Sequence, residues 1–320
     1  MKKAILLLLM APVIFFSCKK DHNKTPVRDT KTYNVNLNID GATSEVTNSS
    51  GGKIHVNGLQ PDSVPISSYL KMLYYHIFDS NGTEINHIVQ DSTAANFGVI
   101  SDNLPAGTYR VIITAGMRNL VAIVRDDGVV GTADDNLTAF QKTKAYYDPK
   151  LPVGTQPQLG IWDDTFSSTF PITVSASGVN QQVLLNRIVG QLEIKLLDQI
   201  PANAAKIYIE IESDEFFYNL NTNLPEGPTK ETMLDVIPTA AKGHANYKID
   251  RIIGNTTTPF KVTIFCLDAG LNPLGLVTVD NVICQKNKRT VLSGNLFSGN
   301  SGITITLEPL NPTIITVPFF

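Results

Sequence analysis

The residues of this chain best suited to chemistry are few and scattered. The one acidic cluster runs Asp126-Asp127-Gly128-Val129-Val130-Gly131-Thr132-Ala133-Asp134-Asp135-Asn136. Hard cations such as Ca²⁺ take oxygen ligands, so Asp126, Asp127, Asp134 and Asp135 around glycine turns are suitable material for a loop-ordering Ca²⁺ site. The spacing and closing Glu of an EF-hand are missing, so a solvated acidic loop is the competing reading. Trp162, followed by Asp163 and Asp164, could stack on a sugar while the carboxylates hold its hydroxyls; a packing plug is the plainer role for a single loop tryptophan. The five histidines are His22, His55, His76, His87 and His244, and none forms an H-x-x-H pair or stands at zinc spacing from a cysteine. No nucleophile elbow, P-loop, dinucleotide fingerprint or metalloprotease helix signature occurs. These residues point away from an enzyme.

The elements that must carry them read as strands. After residue 31 the apolar period is two: Tyr33, Val35, Leu37 and Ile39 alternate with Asn34, Asn36 and Asn38. Tyr69 to Phe78 and Ile85 to Val89 flank Asp79-Ser80-Asn81-Gly82, and an Asn-Gly pair between β-rich runs is a strong hairpin signal. Counting back from that turn sets His76 opposite His87 as a cross-strand pair. Further strand-like runs are Tyr109 to Thr114, Leu120 to Val124, Gln191 to Leu197, Ile207 to Ile211, Phe260 to Leu267, Leu276 to Ile283 and Ile303 to Leu307. Helical character is confined to Leu137–Tyr146 and Thr229–Val236. Short strands punctuated by turns predict an all-β protein of the sandwich kind.

Cys266 and Cys284 fall on the last hairpin of that series. Folding it about Gly270 sets residue 266 near 277, which leaves Cys284 about seven residues, ~23 Å, further along. A disulfide needs Cα atoms within ~7 Å, so two buried free thiols are expected.

Organisation follows from composition. The chain has 320 residues, 42% hydrophobic and 17% charged, with a formal net charge of -3. That length suits two domains. The near-neutral balance, with no long basic run, argues against a nucleic-acid partner. Three cysteines are no disulfide scaffold at this size. The segment Tyr147 to Pro171 is rich in Pro and Gly, and the strand pattern restarts after Val189, which sets a boundary near residues 176–188.

The N-terminus is of another kind. Lys2 and Lys3 precede an uncharged apolar run from Ala4 to Phe16, about 20 Å as a helix and too short for the ~30 Å hydrocarbon core. A charged start, an apolar middle and a small residue before the cut mark an export signal. Phe15-Phe16-Ser17-Cys18 resembles a bacterial lipobox, with Phe15 where Leu is commonest, and implies that Cys18 becomes the acylated first residue of the mature chain. The resulting organisation is a signal peptide over 1–17, a lipidated Cys18 with a polar tether over 18–31, an N-terminal sandwich over 32–185 and a C-terminal sandwich over 186–320. Each buried CH₂ contributes ~0.8 kcal/mol, so the acyl chains would suffice to hold the protein at a membrane.

The export cysteine, the Phe78-Asp79-Ser80-Asn81-Gly82 hairpin, Leu104-Pro105-Ala106-Gly107-Thr108-Tyr109, and Asn186-Arg187-Ile188-Val189-Gly190-Gln191-Leu192-Glu193-Ile194 are laid out like a fimbrillin-type lipoprotein of the Bacteroidetes. The chain therefore resembles the FimA/Mfa group of fimbrial subunits and anchor proteins over most of its mature length. The resemblance implies two tandem transthyretin-like, Greek-key sandwiches and a structural, adhesive role in fimbriae at the outer membrane. Its partners would be the membrane itself and other fimbrial subunits, and no cofactor is required. In that family a subunit is trimmed by a protease at an arginine and polymerises by strand donation, a form of β-augmentation. Arg28 is the arginine available for trimming, although it lies ahead of the first strand; Lys53 is better placed but is not an arginine. An uncleaved chain would act as an anchor or accessory subunit. The uncharged run Asn311 to Phe320 has the character of a donor or last strand. The rival reading is a surface glycan-binding lipoprotein of a polysaccharide-uptake system, resting on Trp162.

Overall fold

The structure is a computed structural model that describes residues 31–47, 53–56, 66–125, 136–147, 162–298 and 302–309. The described residues from Thr32 onward form one compact unit. It is almost wholly β, as the period-two alternation predicts.

The N-terminal strands are β1 (Thr32–Thr47), β2 (Lys53–Val56), β3 (Met72–Phe78), β4 (Glu84–Asp91), β5 (Val99–Pro105) and β6 (Gly107–Gly116). An insertion follows: β7 (Leu120–Val124), a single helical turn α1 (Ala139–Lys142) and β8 (Thr143–Tyr147). β9 (Phe166–Val174) and β10 (Val179–Arg187) complete the first half. The second half comprises β11 (Gly190–Leu196), β12 (Ala204–Asn219), β13 (Leu224–Val236), β14 (Tyr247–Ile253), β15 (Phe260–Asp268), β16 (Pro273–Val282), β17 (Lys288–Gly294) and β18 (Thr304–Pro309).

The pairing pattern repeats. In the first half β1 lies between antiparallel β5 and parallel β10, and β3 lies between β4 and β6, with β9 beyond β6. In the second half β11 lies between antiparallel β14 and parallel β17, and β12 lies between β13 and β15, with β16 beyond β15. Each half buries its alternating apolar residues in its own core. Val35, Leu37, Leu73, Ile77, Val111 and Val183 belong to the first, and Leu192, Ile194, Ile207, Ile209, Val262 and Leu292 to the second. At ~25 cal/mol per Å² of apolar surface, these alternating faces are the main force holding the strand layers of each half together, the first half being one continuous sheet through the β9–β10 pairing and the second two separate sheets.

A third core joins the halves. The outer side of β3 and β6 (Tyr74, Phe78, Ile112) meets the insertion (Leu120, Ala122, Phe140, Tyr147), the chain crossing at Ile188 and Val189, and Tyr218 and Ile252 from the second half. β8 pairs with β12 at Tyr218 and Asn219, so the insertion extends the sheet of the second half.

Several expectations need correction. Thr229–Val236 is strand, paired antiparallel with β12, because Met233 must reach the core at a strand alternation. Of Leu137–Tyr146 only Ala139–Lys142 is helical, started by the capping box of Thr138 and Gln141 and ended by the β-branched Thr143. The halves correspond strand for strand but not turn for turn: β6, after Leu104-Pro105-Ala106-Gly107, corresponds to β15. Asp79 and Asp268 build the same local turn after the non-equivalent strands β3 and β15. The Oδ1 of Asp79 accepts from the backbone N–H groups of Asn81 and Thr83, and that of Asp268 from Asn272.

Candidate functional site: the interhalf joint and the strand edges

Trp162, Asp163 and Asp164 lie where the halves meet, ahead of β9. Trp162 is only 3% exposed. Its ring packs edge-on to Tyr147, centroids 5.8 Å apart, and its indole N–H donates to the Glu215 carbonyl. Gly254 is needed opposite it, since a Cβ there would stand 2.1 Å from the indole nitrogen. Asp163 is buried, its carboxyl pushed up to about 6 by desolvation. Asp164 accepts two hydrogen bonds from Arg187, Nε to Oδ1 at 2.6 Å and Nη2 to Oδ2 at 2.7 Å. The remaining Arg187 nitrogen, Nη1, donates to Asn287 at 3.0 Å, and the Asn287 N–H donates to the Val189 carbonyl at 2.9 Å. The buried guanidinium thus ties the lead into β9, the end of β10 and the turn before β17. A bidentate, desolvated pair of this kind fixes geometry more than it adds stability. The three residues read as a sugar contact are spent on this joint, with no ring face left on the surface for stacking.

His76 and His87 are register partners, as the turn count predicts, with ring centroids 6.0 Å apart. Each nitrogen of the buried His76 faces an acceptor: Nδ1 the Glu84 carboxylate at 2.7 Å and Nε2 the Ala122 carbonyl at 3.0 Å. The ring therefore crosslinks β3, β4 and the insertion. Cys266 and Cys284 are buried free thiols, as expected, both pushed up by desolvation, to about 11 and about 12. Among the described residues no group of three or more His, Cys, Asp and Glu is arranged to hold a metal ion. Asp126, Asp127, Asp134 and Asp135 lie outside the described residues, as do Cys18, Arg28 and Asn311 to Phe320. No helix among the described residues is long and apolar enough to cross a membrane.

A buried acid pair in the second half escapes sequence reasoning. Asp214 and Glu231 lie side by side on β12 and β13, both raised above the usual carboxylate range, chiefly by desolvation. Arg251 partly offsets this at Glu231. The break in β12–β13 register between Ile211 and Asp214 turns the carboxylate inward, and nothing in the local pattern marks it.

The edges of the sheets differ in how they are closed. β4 carries Glu84, His87 and Asp91, β5 Asp102 and Pro105, and β14 Lys248, Asp250 and Arg251. β13 carries two prolines and four charges, and β16 carries Pro273 and Asp280. Such residues keep an edge from pairing with a foreign strand. β7 is uncharged, but its Leu120 carbonyl accepts from the Tyr74 hydroxyl at 2.8 Å and its Ala122 carbonyl meets His76. β17 is covered by antiparallel β18 from Lys288–Pro309 to Ser293–Thr304. Arg289 secures that contact, reaching Glu308 on β18 at 2.8 Å and Glu193 on β11 at 3.2 Å.

Comparison with known proteins agrees with this architecture. The family described as "Fimbrillin-A associated anchor proteins Mfa1 and Mfa2" matches residues 65–270. Against curated proteins the sequence gives no significant match. Among solved structures, a Bacteroides thetaiotaomicron protein described provisionally as polysaccharide-binding has a TM-score of 0.50 at 10% identity, covering 86% of this chain and 95% of that one. The fimbrial anchor protein Mfa2 of Porphyromonas gingivalis gives 0.44 at 11% identity, covering 86% and 97%. The tip fimbrial protein Mfa3 of the same organism, with a C-terminal truncation, gives 0.42 at 10%, covering 86% and 99%. At such identities structural likeness speaks to fold alone, and the family match spans well over half of the sequence. The chain belongs to the family of fimbrillin-A associated anchor proteins and is a fimbrillin-type protein of the Bacteroidetes.

Proposed function

We propose that the protein is a lipid-anchored accessory or anchor subunit of cell-surface fimbriae, with a structural rather than an enzymatic role. The observation that carries this reading is the family match over residues 65–270. The export signal supports it, with Cys18 as the acylated residue that holds the chain at the outer membrane. Arg28 precedes β1, so cutting there would leave every described strand in place. Such a cut would remove the lipidated Cys18 without freeing a strand edge, so the chain is left uncut, keeps its lipid and stays at the base of the assembly. The sandwiches 32–185 and 186–320 act as its two domains, and contact with neighbouring subunits is made by strand donation, main chain to main chain. Any Ca²⁺ held by Asp126, Asp127, Asp134 and Asp135 would order a loop and take no part in a reaction.

Mass spectrometry of the protein extracted from its native membrane tests the reading. The expected result is an acylated peptide beginning at Cys18, with the chain intact past Arg28 and co-purifying with fimbriae. An unmodified Cys18, or a chain absent from fimbrial fractions that binds a polysaccharide on a glycan array, would overturn it.

A further inference from the structure

Where the insertion joins the second half, three strands bring an amine, a carboxamide and a carboxylate together. β8 meets β12 at two register positions, Ala145–Tyr218 and Lys144–Asn219. The Leu220 N–H donates to the Thr143 carbonyl at 3.0 Å. Lys144 and Asn219 are therefore the non-hydrogen-bonded kind of cross-strand pair, with Cα atoms ~4.5 Å apart and side chains on one face. On the other side of β12, β13 sets Glu226 opposite Phe217, one diagonal step from Asn219. The Glu226 carboxylate bridges the pair: Oε2 lies 2.9 Å from Lys144 Nζ, and Oε1 accepts from Asn219 Nδ2 at 2.8 Å. The Asn219 Oδ1 accepts from the backbone N–H groups of Asn221 and Thr222, both at 3.0 Å. Donors at one end and a carboxylate at the other allow the carboxamide a single orientation. Asn219 is 6% exposed, and Lys144 Nζ lies 5.7 Å from the centre of the Phe217 ring.

We propose that Lys144 and Asn219 join in an intramolecular isopeptide bond, with Glu226 as the acid–base group, formed once by the folded chain on itself. The Lys144 ammonium gives a proton to Glu226 Oε2, and the freed Nζ lone pair attacks Asn219 Cγ. The carbonyl π pair moves to Oδ1, where the Asn221 and Thr222 N–H groups stabilise the negative charge as an oxyanion hole does. Glu226 passes its proton to Nδ2. The Cγ–Nδ2 bond breaks with its electron pair on nitrogen, the carbonyl re-forms and ammonia leaves. Nζ sheds a second proton through the same carboxylate to the departing ammonia. The products are a secondary amide and one ammonium ion, and no oxidant, reductant or cofactor is consumed.

An ion pair alone would leave the carboxamide out. Here amine and carboxamide share one carboxylate, each on its own oxygen, so nucleophile, electrophile and proton carrier are already assembled. The place matters as much as the geometry. The β8–β12 ladder is two residue pairs long, yet it ties the insertion that roofs the first half to the sheet of the second. A bond there closes a loop from residue 144 to residue 219 that contains β9, β10, β11 and the crossing at Ile188 and Val189. Tension applied between the two ends of the chain would run through the bond and bypass that loop. The bond itself does not depend on the fimbrial reading.

The test is peptide mass spectrometry of the full folded chain after digestion, with Lys144→Arg and Glu226→Gln alongside. The expected result is the peptide holding Lys144 joined to the peptide holding Asn219, at the sum of their masses less one ammonia, with neither peptide free. Lys144→Arg keeps the charge beside Glu226 and should abolish the joined species. Glu226→Gln keeps the shape and should slow its appearance after refolding about a hundredfold, the lower end of what a positioned acid–base group contributes. Free Lys144 and Asn219 peptides from a wild-type chain shown to be folded by a cooperative melt would overturn the bond and leave the fimbrial reading standing. Ammonia loss that persists in Lys144→Arg would place it at another residue and overturn the bond as well. Joining at the wild-type rate in Glu226→Gln would overturn the role given to Glu226.

Discussion

In the first half the outer face of β4-β3-β6-β9 is roofed by β7, α1 and β8, so Tyr74, Phe78 and Ile112 are buried on both sides of their sheet. The matching face of the second half, β13-β12-β15-β16, has no such roof among the described residues. Across it Leu234, Tyr208, Phe265 and Leu276 fall in one register row, with Leu276 65% exposed. Tyr208 and Phe265 stack face to face at 4.9 Å, which turns their edges outward. At the edges of β10 and β17 the asymmetry reverses: the second half closes its edge with β18, while among the described residues nothing closes β10 over 179–185. One topology thus supports two surfaces, and what decides between them is where an extra segment was added.

The joint between the halves is the most sensitive point of the comparison. Arg187→Ala strands Asp164 beside a buried void and should cost about 3–5 kcal/mol. Chemical denaturation should then show the two halves unfolding in separate steps instead of one. Gly254→Ala drives a Cβ into the Trp162 indole and should cost about 1–3 kcal/mol in the same measurement. Tyr74→Phe removes the donor that caps β7 and should cost about 1 kcal/mol, confined to the first half.

A change of pH probes the molecule by another route. Burial raises the Asp163 carboxyl to about 6 in the folded chain, and the buried pair of Asp214 and Glu231 is raised above the ordinary carboxylate range as well. A raised carboxyl binds its proton in the folded state before the unfolded state does. Stability therefore falls as pH rises through about 6 and is recovered as pH falls towards the unfolded values. The chain should melt higher at pH 5 than at pH 7, by on the order of 1 kcal/mol, and Glu231→Gln should flatten that dependence. The smallest effect is expected at the open edge: Leu184→Lys should change stability by no more than about 0.5 kcal/mol, since the side chain already faces solvent.

How much of this was legible depended on how local the cause was. The Asn81-Gly82 turn fixed the β3–β4 register to the residue and so paired His76 with His87, because turn geometry sets hairpin register. The alternation of Tyr33 to Ile39 marked β1, and Cys266 and Cys284 were separable by strand length alone. β13 was misread as helix because Thr229–Val236 alternates weakly and owes its conformation to β12. A packing plug was the plainer reading of Trp162, and it is buried, but the run Trp162, Asp163 and Asp164 does not say what it packs against. Their role comes from Arg187, Tyr147 and Gly254, which the sequence sets far away and only the tertiary fold brings together. The outer edge of β10 had no signal of its own, since what distinguishes it is that no described strand lies where β18 lies on β17.

Residue-resolved amide exchange on the monomeric chain, comparing β10 with β17, tests the central asymmetry most directly. With a neighbour on each side, β17 should show every amide from Arg289 to Ser293 protected, whereas β10 should alternate between slow and fast amides over 179–185 because among the described residues only its β1 side is paired. Uniform protection along both strands would mean that the first half is as closed as the second, and would contradict the account.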